Sequence, residues 1–461
     1  MSPAYAPFFC YVLVLGIGTF SLSAYATPLN WVDPQIPSAL APFDGQASRL
    51  ASLADQNILI YQHPRQATAT PTPRGVRRYQ NVSFNSSALV VSATPAEIRQ
   101  LLSDYSRYVG LFPSLTEAKA LHSSHNNQSK ISQVQYRIQV PVPIPLLSFD
   151  EKIVLQHQLS EHALSTLIVD SPIQYGLGQF EWFPLADAKN GTPQTLVTLT
   201  QWGDLNAPKG FVVSTLLRAL PEVKLGIPNG IGAFVMESIR RRYNPDPSVG
   251  TIYPLPQIVP QHTLSTVQTQ QVKQLIQRSG GQSVVFAHRP VWLRTAKHPE
   301  KLFFSTSYAQ IHATPTQIFS TLAEPTRYQT LFRQIKKIEL TPQADGATDA
   351  KIRIGLGLGV LTIPYHIQLR SQKLNPTTAI YRANGGDIEF MHGRLHAQPW
   401  DQRSSLVSMT SGGKLGDDAP FLLSIGKSLP YADMLPSIGA APIFIERANR
   451  YFRQTNPENK P

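Results

Sequence analysis

The sequence is short of several things, and each shortage removes a class of answer. Cysteine is nearly absent: the single Cys10 falls in an apolar amino-terminal segment, so neither disulfides nor thiol chemistry can serve the rest of the chain. Charged residues make up only 15% of 461 positions against 42% hydrophobic ones, which excludes a disordered polyelectrolyte and leaves ample material for buried cores. Acidic residues are few, 29 against 41 Lys and Arg, for a formal net charge of +12. That basic excess is dispersed. Its longest block is Arg240-Arg241-Arg242, and no basic stripe alternates with aromatics, so nucleic-acid binding is not expected. Such a chain can still meet anionic lipid headgroups or envelope polyanions, or nothing specific.

Long hydrophobic runs are missing too. The one candidate, FFCYVLVLGIGTF from Phe8 to Phe20, is short for a membrane span and is followed by the small-x-small site Ala24-Tyr25-Ala26. It reads as a signal peptide over residues 1–26, cleaved after Ala26, although no Lys or Arg precedes it; an uncleaved anchor is the alternative. The expected location is therefore outside the cytoplasm, and the cysteine-free remainder points to a bacterial periplasm. Asn81, Asn85 and Asn127 fit the glycosylation acceptor pattern, which matters only for a eukaryotic source.

Proline, by contrast, is plentiful at 39 residues, and VPVPIPLL from Val140 to Leu147 places it at every second position. Tyr136, Ile138, Val140, Val142 and Ile144 fall on one face of a strand, with Arg137, Gln139 and the prolines on the other. Proline cannot donate to a sheet ladder, so this half of the strand must lie at an edge, at a bulge, or where the chain leaves the sheet. IRIGLGLGV, from Ile352 to Val360, repeats the pattern with glycines opposite the prolines: Ile354 answers Ile138, and Leu356 answers Val140. A greasy ribbon beside a weakly paired backbone suits the mouth of a cavity.

The match extends much further. VSATPAEIRQLLSDYSRYVGLF at Val91 and IHATPTQIFSTLAEPTRYQTLF at Ile311 align without a gap, Pro315 standing 220 positions after Pro95. Each copy has a strand (Ser87 to Val91; Tyr308 to His312), then Thr94 or Thr314 as helix N-cap with Pro at the first helical position, then a short second helix around Arg107-Tyr108 or Arg327-Tyr328. GQFEWFPL and LVTLTQW answer HGRLHAQPW and LVSMTSG. FVVSTLLRALP answers FLLSIGKSLP, and MESIRRRY answers IERANRYF, setting Glu237 on Glu446. A short helix and strand precede each copy, ending near ILIYQH and VVFAH. The expected organisation is a unit over residues 44–243, a Pro-rich linker over 244–263, and a second unit over 264–455.

The order of these elements, with ATPAEI, DYSRYVGLFPS, GQFEWFPL and LVTLTQW, resembles the START-like superfamily, also called the SRPBCC or helix-grip fold, in its coenzyme Q-binding and polyketide cyclase-like branches. VPVPIPLLSFDEKIVL is similar to the proline-containing strand and turn of lipid-binding START domains. The resemblance covers nearly all of the chain after the signal segment, twice. It implies an α+β fold of two tandem helix-grip units, each a curved antiparallel sheet around a long carboxy-terminal helix, with a hydrophobic ligand site between them. The second copy diverges at Glu324-Pro325, against Asp104-Tyr105 in the first, so its pocket is the one expected to degenerate.

Tyr136, Ile138, Val140, Phe180, Trp182, Leu216 and Phe234 are the candidate cavity lining of the first unit; Ile354, Leu356, Leu395, Met409, Ile425 and Phe444 are their counterparts. A solid core would use the same residues. Arg107 and Arg327 are candidates for a ligand headgroup, and Asp104, three residues before Arg107, is the competing partner. Glu237 and Glu446 read as helix-surface or interhelical partners. His392 and His396 sit four apart on a strand with no third ligand in view, and GLGLG opens no helix, so neither a metal nor a dinucleotide cofactor is expected. The glycines and prolines of PEVKLGIPNGIGAF and PYADMLPSIGAAPIF read as helix breaks, in a lid, a membrane-touching loop or a packed linker. Three functions follow. The leading one is an exported protein that binds or transfers a lipid, quinone or other apolar molecule and approaches anionic membranes. A polyketide aromatase/cyclase-like enzyme and an interaction module with filled cores are the alternatives.

Overall fold

The computed structural model describes residues 28–31, 35–125, 129–141, 148–206, 208–209, 223–246, 252–254, 259, 262–294, 299–358, 361–416 and 434–455. The signal segment, Leu216 and Ile425 lie outside the described residues, as do the side chains of Val140 and Leu356.

In the first half of the chain, helix α1 (Ala47–Ala54) leads into β1 (Ile58–Gln62), a hairpin of β2 (Gln66–Thr72) and β3 (Gly75–Val82), and β4 (Asn85–Val91). Helix α2 (Pro95–Ser103) and the short α3 (Tyr108–Leu111) follow. The antiparallel strands β5 (Leu115–His125), β6 (Lys130–Pro141), β7 (Ser148–Leu159), β8 (Ala163–Asp170), β9 (Gly176–Pro184) and β10 (Thr195–Gly203) then lead to the long helix α4 (Val223–Tyr243). The second half repeats this after β11 (Ile252–Pro254): α5 (Thr266–Arg278), β12 (Val284–Ala287), β13 (Val291–Arg294), β14 (Pro299–Leu302), β15 (Phe304–Ile311), α6 (Pro315–Leu322), α7 (Tyr328–Leu331), β16 (Ile335–Pro342), β17 (Thr348–Leu358), β18 (Leu361–Asn375), β19 (Thr378–Gly386), β20 (Ile388–Pro399), β21 (Ser405–Leu415) and α8 (Met434–Thr455). The fold is α+β, two tandem helix-grip units. Each ATP segment starts its helix by the same device: the Thr94 hydroxyl accepts from Glu97 N while the Glu97 carboxylate accepts from Thr94 N, and Thr314 and Gln317 repeat the box.

The two halves share one sixteen-stranded sheet, ordered β16-β17-β18-β19-β20-β21-β15-β12-β1-β4-β10-β9-β8-β7-β6-β5. Outward from the central β12–β1 pair, both directions read the same. Ile60 lies opposite Val285 in that antiparallel pair, and aligning ILIYQH on VVFAH makes the same two residues counterparts in the repeat. A pseudo-twofold axis therefore passes between them, normal to the sheet, which puts α4 and α8 on one face and α1 and α5 on the other.

On the first face, Ala233, Met236 and Ile239 of α4 pack on Ile60, Leu89, Phe180, Trp182 and Leu199, joined by Met434 and Ile438 of α8. On the other, α1 and α5 bury Leu59, Tyr61, Phe286 and Tyr308. The density of glycine and proline in the two closing segments misleads here. The described helices run through Pro228 and Pro442, and their glycines serve close approach. A Cβ on Gly232 would run into Ser87 Oγ, and one on Gly226 would lie 3.4 Å from Gly439 Cα.

Of the two places expected for Glu237, helix surface or partner between helices, the surface is not the one it takes. It is buried, gripping Arg240 through Nε at 2.6 Å and Nη2 at 2.7 Å, with Arg241 Nε at 2.8 Å. Arg240 reaches on to Asp246 Oδ1 at 2.6 Å, and Asp246 pairs with Lys301 on β14, so the chain after α4 is tied to unit 2. The Pro-rich segment contributes β11, which pairs parallel with β13. Glu446 remains at the surface, 3.7 Å from Arg450.

Candidate functional site

Of the proline ribbon the described residues reach Pro141, where one neighbouring strand has already ended. β6 pairs with β5 only as far as Ile138 opposite Leu115, while its pairing with β7 continues to Pro141 opposite Ser148. A last amide, Gln139 N, reaches Ser114 O at 2.8 Å. The glycine copy has the same geometry: β16 stops at Ile335 opposite Ile354, β18 continues to Leu361 opposite Leu358, and Gly355 N donates to Gln334 O at 2.7 Å. Pro141, Gly355 and Gly357 thus occupy the stretch where one neighbour is gone and ladder donors are least needed.

The helix-side face of β5–β8 is largely apolar and incompletely buried. Helix α4 lies over β4, β1 and β10. Farther out, Leu115, Ala118, Ile153 and Leu155 are half-buried around Tyr108, Val134 and Tyr136, and Ile138 is half-buried beside them. Phe112 and Phe234 stack at 6.2 Å and bridge this strip to the closing helix. Unit 2 repeats it with Ile335, Ile338, Ile354, Ile367 and Met391, bridged by Phe332 and Phe444 at 5.5 Å.

Inside the unit-1 strip sits a polar relay. The buried Tyr136 shares a hydrogen bond with His157 Nε2 at 2.9 Å, and His157 Nδ1 shares another with Thr166 Oγ1 at 2.9 Å. The Tyr105 ring stacks on the imidazole at 4.5 Å, and the Tyr108 ring on Tyr136 at 5.8 Å. Burial pushes His157 down to about 3, so it is a neutral imidazole with one donor and one acceptor, and each neighbouring hydroxyl takes the complementary role. Burial also raises the Tyr136 phenol far above its ordinary range and Tyr105 to about 12. Tyr108 is satisfied by Leu102 O at 2.9 Å, and Ser132 is the side chain that partly offsets the burial of the Tyr105 phenol. Register sets Ile352, Ser371 and Tyr381 of unit 2 where unit 1 has Tyr136, His157 and Thr166. The relay belongs to unit 1 alone.

The candidate lining residues fall into two groups. Phe180 and Trp182 are packed under α4, Trp182 only 1% exposed, and Leu395 and Met409 are packed under α8. Tyr136, Ile138 and Phe234, with Ile354 and Phe444, border the incompletely buried strips. Arg107 is exposed and pairs with Asp104 at 2.9 Å, the competing partner; Arg327 is exposed too. His392 is buried and stacked on Phe390, and His396 Nδ1 bonds to Thr378 Oγ1 at 3.1 Å. Among the described residues no three His, Asp or Glu side chains are grouped to hold a metal. A groove of about 500 Å³ on the far side of the sheet, between α1 and α5, is lined by Arg49, Val267 and glutamines, and none of the candidate residues borders it.

His157, Thr166 and Tyr105 were not anticipated, although alternation from Ile153 and Leu155 puts His157 on the apolar face, where a lone polar residue is a signal. A second, duplicated relay was also missed. His63 Nε2 meets Ser86 Oγ at 2.7 Å and Ser86 meets Thr200 at 2.6 Å; His288 Nε2 meets Thr306 Oγ1 at 2.7 Å and Thr306 meets Thr410 at 2.8 Å. His288 Nδ1 further bonds Asn57 of unit 1 at 2.8 Å, across the central strand pair.

No family model matches the chain, and no curated protein does. Among solved structures it is similar to the di-domain ARO/CYC BexL from the BE-7585A biosynthetic pathway, at 10% identity over 82% of this chain and 99% of that one, TM-score 0.25. It is similar to the di-domain ARO/CYC StfQ from the steffimycin pathway at 8% identity, over 79% and 98%, TM-score 0.23. A START superfamily protein from Mycobacterium smegmatis matches at 14% identity over 32% of this chain and 98% of that one, TM-score 0.23. Likenesses this faint add no detail of chemistry.

Proposed function

We propose that this chain is an exported carrier that binds a lipid, quinone or other hydrophobic molecule on the helix side of the outer strands of unit 1, and that its positive charge brings it to anionic membranes. The observation that carries the reading is the incompletely buried apolar strip of Leu115, Ile153 and Leu155, with the Tyr136–His157–Thr166 relay set into it. Apolar sheet surface left uncovered costs about 25 cal/mol per Å² relative to its burial, which a greasy ligand recovers.

Native mass spectrometry of the protein purified from its own envelope, with solvent extraction of what it releases, tests the proposal. A bound lipid or quinone names the ligand class. A protein that is empty and stays empty when lipids and quinones are offered is an interaction module with filled cores, and the carrier reading falls.

A further inference from the structure

The hairpin of β2 and β3 is the part of unit 1 that the twofold does not reproduce in kind. Among the described residues its two strands pair only with each other. In unit 2 the strands at the same place, β13 and β14, are held in a three-stranded sheet by β11 and carry Glu300, which pairs with Lys414 at 2.9 Å. No Asp or Glu occurs between Asp55 and Glu97, while Arg65, Arg74, Arg77 and Arg78 do, and all four are exposed.

Register separates the two faces of the hairpin. Thr68 and Thr70 are buried, opposite Tyr79 and Arg77. Arg77 lies over the rings of Tyr79 at 5.3 Å and Tyr175 at 4.6 Å. The neighbouring acid, Asp204, is itself buried and accepts from the Tyr79 hydroxyl at 3.2 Å. The other face carries Arg78 beside Ala69 and Val76 beside Pro71, with Arg74 in the turn. Val76, at the end of the hairpin, is 62% exposed.

We infer that this hairpin is the surface that meets an anionic bilayer: Arg74 and Arg78 fork onto headgroup phosphates, Arg77 stays at the headgroup level on its aromatic platform, and Val76 enters the acyl boundary. The inference rests on the membrane approach proposed above and names the surface that makes it. A nucleic acid is the poorer fit, since an apolar tip gains nothing from a polyanion and no outward aromatic offers a stacking platform.

Sedimentation of the full chain with phosphatidylcholine vesicles, and with vesicles enriched in phosphatidylglycerol, tests the inference. The protein is expected to bind the anionic vesicles preferentially and to lose binding as salt rises. Each neutralised arginine costs about fivefold, so Arg74→Gln with Arg78→Gln lowers the anionic-vesicle affinity about 25-fold. Val76→Trp is expected to shift its emission to the blue on anionic vesicles only. All three positions are exposed, so folding is retained, and far-ultraviolet circular dichroism checks it. If wild type binds anionic vesicles and the double variant binds equally, the hairpin is overturned while the membrane approach stands. If wild type binds neither vesicle, both fall. An unshifted Val76→Trp spectrum on bound vesicles overturns the insertion of the tip.

Discussion

Acidification from pH 7 to pH 5 is expected to destabilise this protein through its buried histidines. Burial holds His63 and His392 at about 4, and His157 at about 3. At the unit junction His262 is held at about 4 by burial and His288 at about 3 by burial and by the His262 ring 5.0 Å away. Unfolded, each returns to about 6.5. A histidine whose folded value is depressed favours the neutral form, so the unfolded chain takes up protons first and stability falls as pH drops below 6.5, levelling off only near the folded values. At pH 5 the loss is about 2 kcal/mol per histidine relative to pH 7. Glu181 and Glu151, raised by burial, act in the opposite sense and offset part of this loss. Even half of the five-histidine sum, about 5 kcal/mol, matches the whole stability of an ordinary domain. Urea midpoints followed by tryptophan fluorescence at pH 7, 6 and 5 provide the assay, and His288→Gln is expected to flatten the dependence. A midpoint unchanged between pH 7 and 5 refutes the reasoning.

Other perturbations have equally specific outcomes. Glu237→Gln leaves Arg240 buried with Asp246 alone and is expected to cost about 3–5 kcal/mol in chemical denaturation, whereas replacing Glu237 and Arg240 together by methionine costs far less; equal losses would count against the buried network. Thr94→Ala and Thr314→Ala each remove one capping hydroxyl, for about 1 kcal/mol apiece by thermal unfolding. Gly232→Ala drives a methyl group against Ser87 Oγ and is expected to cost about 1–3 kcal/mol, relieved by a second change, Ser87→Gly; no relief means that the close approach of α4 to β4 is not the cause.

Local chemistry was the part of this fold most legible in the sequence. Thr94 and Thr314 announce their helices because a cap needs only residues three apart, and Phe180 and Trp182 share a face because strands alternate. The proline ribbon was read through the absence of an amide, and the end of the β5–β6 pairing accounts for Pro141. What escaped depends on distant partners. The breaks expected at Pro228 and Pro442 are absent, and contacts with Ser87 and between the two closing helices give glycine a use that propensity alone does not reveal. Glu237 looks like any helix-surface acid until Asp246 and Lys301 close over its arginine. The pairing of His157 with Tyr136 and Thr166 spans three strands, and only the register between them brings it about.

The central strand pair bears on ancestry and on assembly. Ile60 and Val285 face each other across the twofold as the same position in two copies, so the join between the units is an intramolecular version of an isologous dimer contact. An ancestor with one unit would have presented β1 as an open edge and closed it with a second copy of itself. Joining two copies in one chain makes that partner permanent, and it frees the halves to diverge. The first half carries the Tyr136–His157–Thr166 relay and the arginine hairpin, and the second carries Ile352, Ser371 and Tyr381 at the relay positions.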